Sequence, residues 1–65
     1  MVRKNIADYM GEHHIKQADV CRKSGLMPQQ ISKILNGTRR MEIEEYIAIC
    51  TALNVSVDTF MNSNA

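Results

Sequence analysis

Apolar residues recur along this chain at three- and four-residue spacing, and the polar positions between them fall on opposite faces. Ile6, Tyr9, Met10 and His13 share one face of a first helix predicted over 3–13, weakened by Gly11 by about 1 kcal/mol relative to alanine. A second helix is predicted over about 17–24, with Val20 and Cys21 inward and Lys16, Asp19, Arg22 and Lys23 outward. Gly25 follows it, where a residue without Cβ best adopts a left-handed backbone. A third helix opens at Pro28, whose missing N–H has no partner in a first turn, and closes at Asn36-Gly37. A fourth starts near Glu42, with three acidic residues at the positive end of its dipole. Its expected buried stripe is Ile43, Tyr46, Ile47, Cys50 and Leu53, with Asn54 as a left-handed cap. Ser56 is then expected to cap a short fifth helix carrying Val57, Phe60 and Met61, and the tail 62–65 to fray. "VSVDTF" alternates briefly with period two, but a lone strand would have no partner. The expected fold class is therefore all-α: a compact five-helix bundle forming a single domain over 1–65, with its core at about 3–62.

Size limits what such a bundle can do. Sixty-five residues bury only about 60% of their unfolded surface, too little to wall off a deep catalytic cleft. No apolar run approaches the roughly 18 residues of a membrane span, and the amino terminus lacks a signal-peptide core, so a cytoplasmic location is expected. Cys21 and Cys50 are too few for a disulfide scaffold and fall on apolar helical positions, which predicts buried, reduced thiols.

The net charge of +1 conceals an uneven distribution. Residues 16–40 hold Lys16, Arg22, Lys23, Lys33, Arg39 and Arg40 against Asp19 alone, whereas residues 41–65 hold Glu42, Glu44, Glu45 and Asp58 with no Lys or Arg. A basic segment followed by an acidic one suggests a polyanion on one face.

The second helix, the turn Ser24-Gly25-Leu26 and the third helix together have the makings of a helix–turn–helix. Steeply crossing helices need a small residue where they meet, and Cys21 stands there; the tight turn needs Gly25. Val20, Leu26, Ile31 and Ile34 can pin the third helix to the body, leaving Pro28, Gln29, Ser32, Lys33 and Asn36 outward, a face that fits the DNA major groove.

"KQADVCRKSGLMPQQISKILNG" resembles the helix–turn–helix of the phage Cro/repressor family, also called the XRE-type family. "ICTALNVSVDTFM" is similar to that family's closing segment. The resemblance covers roughly residues 2–62 and implies a lambda-repressor-like DNA-binding domain. It implies that Gln17 bonds a DNA phosphate and braces the third helix, and that Gln29 and Lys33 reach base edges. Pro28 occupies a position that is often a polar base reader, where it can give only an apolar contact. Asn36 and the segment Thr38, Arg39 and Arg40 match phosphate-contacting positions. Lys16, Gln30 and Ser32 complete the expected DNA-contacting set. Phosphate contacts supply affinity and register, and base-edge contacts supply specificity. The sequence departs from the family at Cys21, where alanine is usual, and in a recognition helix without arginine, the usual bidentate reader of guanine.

The resemblance further implies a transcription regulator of phage or mobile-element type, expected to be a repressor. It would bind double-stranded DNA at a palindromic operator as a homodimer, with half-sites about 10 base pairs apart. Val57, Thr59 and Met61 are the expected dimer-interface residues, with Phe60 and Val55 spent on the fold. Pairing is expected to be weak or absent off DNA. With no effector domain in view, control by dose or by competition for promoter sites is expected rather than small-molecule sensing. The alternative is a protein-binding module on the same fold, such as an antitoxin-like partner, favoured if residues 38–40 proved dispensable. An enzyme is not expected. Adjacent histidines such as His13-His14 point about 100° apart on a helix and have no further ligand at helical spacing, so no metal or cofactor is expected. A Cys-His nucleophile pair would need Cys21 out of the core. The five methionines read as core filling plus an initiator.

Overall fold

The computed structural model describes residues 2–61, and the expectation for the tail 62–65 lies outside them. Within the described residues the chain forms four helices and no strand: α1 (Val2–Glu12), α2 (Gln17–Ser24), α3 (Pro28–Asn36) and α4 (Ile43–Leu53). Each boundary lies within a residue or so of its predicted place. α2 packs on both α3 and α4, and α1 packs on α3. Ile6, Met10, Val20, Ile31, Tyr46, Ile49, Cys50, Leu53 and Phe60 meet in one buried cluster.

All four helices end through left-handed residues. Gly25 (φ 80°) closes α2 by donating its N–H to the Cys21 carbonyl, 2.9 Å. Asn54 (φ 60°) closes α4 as expected, with the Val55 N–H reaching back to the Cys50 carbonyl at 3.0 Å. The end of α1 is set by a residue that the sequence pattern does not single out. His14 has φ 56°, its N–H bonds the Gly11 carbonyl at 3.3 Å, and the Ile15 N–H bonds the Met10 carbonyl at 2.8 Å. Those two bonds make a Schellman-type stop, and histidine is among the side chains enriched at positive φ. His13 therefore lies just past the helix and is exposed rather than inward, its ring 4.2 Å from that of Tyr9.

Two further expectations are corrected. α4 buries Tyr46, Cys50 and Leu53 of its predicted stripe but is rotated from it at the edge: Ile43 is 67% and Ile47 46% exposed, while Ile49 is 1% exposed. α4 is apolar nearly all round, so more than one stripe can be drawn on it. The register is set by Glu45, which is buried at 7% exposure. The second correction concerns the fifth helix, in whose place residues 57–61 form a succession of turns. The Ser56 hydroxyl bonds the Asp58 carboxylate and lies 3.2 Å from the Thr59 hydroxyl, so it is spent on side chains. Val57, Asp58 and Thr59 are also weak helix formers. The turn is held by Phe60 (3% exposed), whose ring meets Tyr9 edge-on at 5.5 Å and whose carbonyl accepts from Asn5 Nδ2 at 3.1 Å. The Tyr46 hydroxyl donates to the Val57 carbonyl and ties the same turn to α4.

Of the two thiols, Cys50 is buried and Cys21 only half-buried at the α2–α3 crossing; both are free. No helix among the described residues is long and apolar enough to cross a membrane.

Candidate nucleic-acid interface

α3 divides cleanly into two faces. Ile31 (1%) and Ile34 (0%) are buried, and Gln30 and Leu35 flank them half-buried. Gln29, Ser32, Lys33 and Asn36 are all exposed, and their i, i+3, i+4, i+7 spacing aligns them along one strip. Pro28 is exposed at the start of the helix, and Lys16 and Gln17 are exposed at the start of α2. No side chain caps the first turn of α2, where the Asp19 and Val20 N–H groups bond the Lys16 carbonyl at 3.0 and 3.3 Å.

Beyond α3 the chain turns on Gly37 (φ 85°), with the Thr38 N–H returning to the Lys33 carbonyl at 3.1 Å. Asn36 Oδ1 accepts from the Thr38 N–H at 3.0 Å and from its hydroxyl at 2.7 Å. The loop is thus held by the acceptor end of the Asn36 amide, on a side chain exposed to solvent. Thr38, Arg39 and Arg40 follow, all exposed.

Two of the expected DNA-contacting residues carry structural duties as well. Gln30 Oε1 accepts from the Met27 N–H at 2.9 Å, closing the N-terminus of α3, while its Nε2 donates to Glu45 Oε2 at 3.2 Å. Arg39 Nη2 donates to the same carboxylate oxygen at 2.5 Å. Glu45 Oε1 accepts from the Glu42 N–H at 2.9 Å, closing the N-terminus of α4. One carboxylate therefore fastens the beginnings of α3 and α4 to each other and to the loop between them. A glutamate three residues after a helix start is readable as the return half of a capping box; that it also turns inward is not.

The Glu42 N–H, and then Arg39 and Gln30, hold the Glu45 carboxyl below its usual range against the opposing effect of burial. A depressed carboxyl stabilises the fold above its unfolded pKa of about 4.3, and that contribution disappears as pH falls through the folded value. Glu45→Gln is accordingly expected to lower the thermal midpoint at neutral pH and to flatten its decline below about pH 4.3. Melting curves across acid pH check this; parallel declines in the two proteins would count against the assignment.

Among the described residues no group of three or more His, Cys, Asp or Glu could hold a metal ion. The structure thus offers a helix–turn–helix whose second helix shows solvent a strip of hydrogen-bonding side chains, bordered by cations: the framework of a double-stranded DNA reader. A family model described as the Cro/C1-type HTH DNA-binding domain matches residues 5–65, and the chain belongs to that family. Comparison with the curated proteins and with the solved structures gave no match.

Proposed function

We propose that the chain is a transcriptional repressor that binds a palindromic operator as a homodimer, with α3 in the major groove. The observation that carries this reading is the exposed strip Gln29, Ser32, Lys33 and Asn36 on a helix whose other face is buried. In this arrangement Gln29 and Lys33 read base edges, Pro28 and Ser32 add close contacts, and Gln17 with Lys16 holds a phosphate at the start of α2. Asn36, Thr38, Arg39 and Arg40 hold the backbone beyond α3, and Gln30 acts mainly by fixing the angle of α3. Neither Lys16, Lys33 nor Arg40 takes part in an ion pair among the described residues.

Selection of binding sites from random duplexes, followed by two variants, tests the reading. Gln29→Ala is expected to cost about 1–3 kcal/mol on the selected site and to relax choice at one base position. Arg40→Ala should weaken selected and random DNA alike. If the arginine change alters base preference and the glutamine change does not, the roles are wrongly assigned.

Pairing is supported by apolar side chains left uncovered at the acidic end of the molecule. Val57 is 48% and Met61 59% exposed. Ile43 and Met61 line a shallow apolar groove of about 340 Å³ with Val2, Met41 and Tyr46. A two-fold interface needs one patch that complements itself, and in this reading the groove forms that patch together with Val57 and Thr59. Val57→Asp is expected to abolish cooperative filling of two half-sites without unfolding the chain. Sedimentation with the selected duplex is the check: one chain per duplex at saturation in the unaltered protein would exclude the dimer.

A further inference from the structure

Arg3 lies far from the helix–turn–helix in sequence, but the fold sets it against the end of α3. Its guanidinium lies across Gly37: a Cβ built on that glycine would be 2.9 Å from Arg3 Cζ and 3.0 Å from Nε and Nη2. The missing side chain therefore serves the approach of Arg3 as well as the left-handed turn. Around this contact is an open cleft of about 560 Å³, floored by Ile34 and lined by Arg3, Arg39 and Arg40, with no carboxylate in its lining. Of these three arginines Glu45 pairs only with Arg39, and Arg3 and Arg40 form no ion pair among the described residues. Three arginines thus line one cleft with only Arg39's charge offset, an arrangement that an anion would relieve, and the forked N–H groups of a guanidinium match the oxygens of a phosphate.

We infer that Arg3, with Arg39 and Arg40, forms a phosphate-binding cleft at the end of α3, and that a DNA backbone phosphate occupies it. The inference rests on the DNA-binding reading and adds to it a contact from α1. Arg3 has a simpler possible role as a counter-charge to the carbonyl end of α3, but no hydrogen bond from Arg3 to those carbonyls is present among the described residues.

A phosphate contact is independent of base sequence, so a short duplex of arbitrary sequence is a sufficient probe. Arg3→Gln is expected to reduce the slope of log K against log[salt] by about 0.9, one phosphate's worth of released counterions. Arg3→Lys should keep most of the slope, and the thermal midpoints of both variants report any loss of folding. An unchanged slope in Arg3→Gln, with or without a lower midpoint, overturns the inference and leaves Arg3 a helix-end counter-charge. If the unaltered protein binds no duplex, the DNA reading fails, and inorganic pyrophosphate becomes the probe of the cleft. Amide shifts at Gly37 and Thr38 that appear in the unaltered protein and vanish in Arg3→Gln would then support a phosphate site for a free ligand. Their absence would overturn the cleft itself.

Discussion

Ile49→Ala is expected to destabilise the protein by about 2–5 kcal/mol, and Ile34→Ala by a similar amount. Ile49 is 1% exposed within the central cluster, and Ile34 is 0% exposed beneath the end of α3. Truncating either removes buried methyl groups and leaves a cavity that four short helices can only partly close. Proteins of this kind have about 0.05–0.15 kcal/mol of stability per residue, so a 65-residue chain holds about 3–10 kcal/mol. Either variant therefore loses a large share of the total and is expected to melt at or near working temperature. Ile43→Ala is the control: with Ile43 67% exposed, it should change stability by no more than about 0.5 kcal/mol. Denaturant melts of the three variants decide between the two registers of α4. A large loss in Ile43→Ala with a small one in Ile49→Ala would mean that the helix is turned the other way.

DNA affinity is expected to fall about thousandfold between ~50 and ~200 mM salt, a slope near −5 in log K against log[salt] for about six phosphates. The cations that could supply such contacts are concentrated between residues 16 and 40, while Glu42, Glu44, Glu45 and Asp58 belong to the following segment. Not every cation counts equally. Arg22 is paired with Asp19 at 2.8 Å, and Arg39 shares its charge with Glu45, so both give less than a full contact. Lys16, Arg40 and, from α1, Arg3 are free of such partners among the described residues, while Lys33 is assigned to base edges. On two paired chains, three full contacts each account for a slope of this size. A binding curve flat over that salt range would exclude an interface built on phosphates.

Much of the fold was legible because its stops are local. Gly25, Gly37 and Asn54 announce left-handed ends, and Pro28 announces a start, so the helix–turn–helix and its exposed face could be placed from spacing alone. His14 announces no such end, because most histidines have negative φ and only the tertiary fold selects this one for the left-handed turn. The rotation of α4 could not be read from its own residues, since "IEEYIAICTAL" is apolar enough to bury several faces. What decides it is Glu45, whose partners Gln30 and Arg39 come from outside the helix. The fifth helix failed for the opposite reason: its apolar spacing was real, and Phe60 is buried as expected, but a few turn-forming residues bury that ring without winding into a helix. At the interface, the strip on α3 followed from the helical repeat. The approach of Arg3 to Gly37 is a tertiary contact with no local signature.

Cys50 gives the molecule a built-in clock. Its thiol is 1% exposed on α4, and burial pushes its pKa up, so the folded protein offers almost no thiolate to an alkylating reagent. Labelling at Cys50 must wait until α4 lifts from the core, and its rate counts those openings. Cys21, half-buried at the crossing of α2 and α3, reports on the neighbouring joint through a more accessible sulfur. Two thiols of unequal shelter thus record, in one experiment, whether the joint between α2 and α3 loosens alone or only when the whole bundle comes apart.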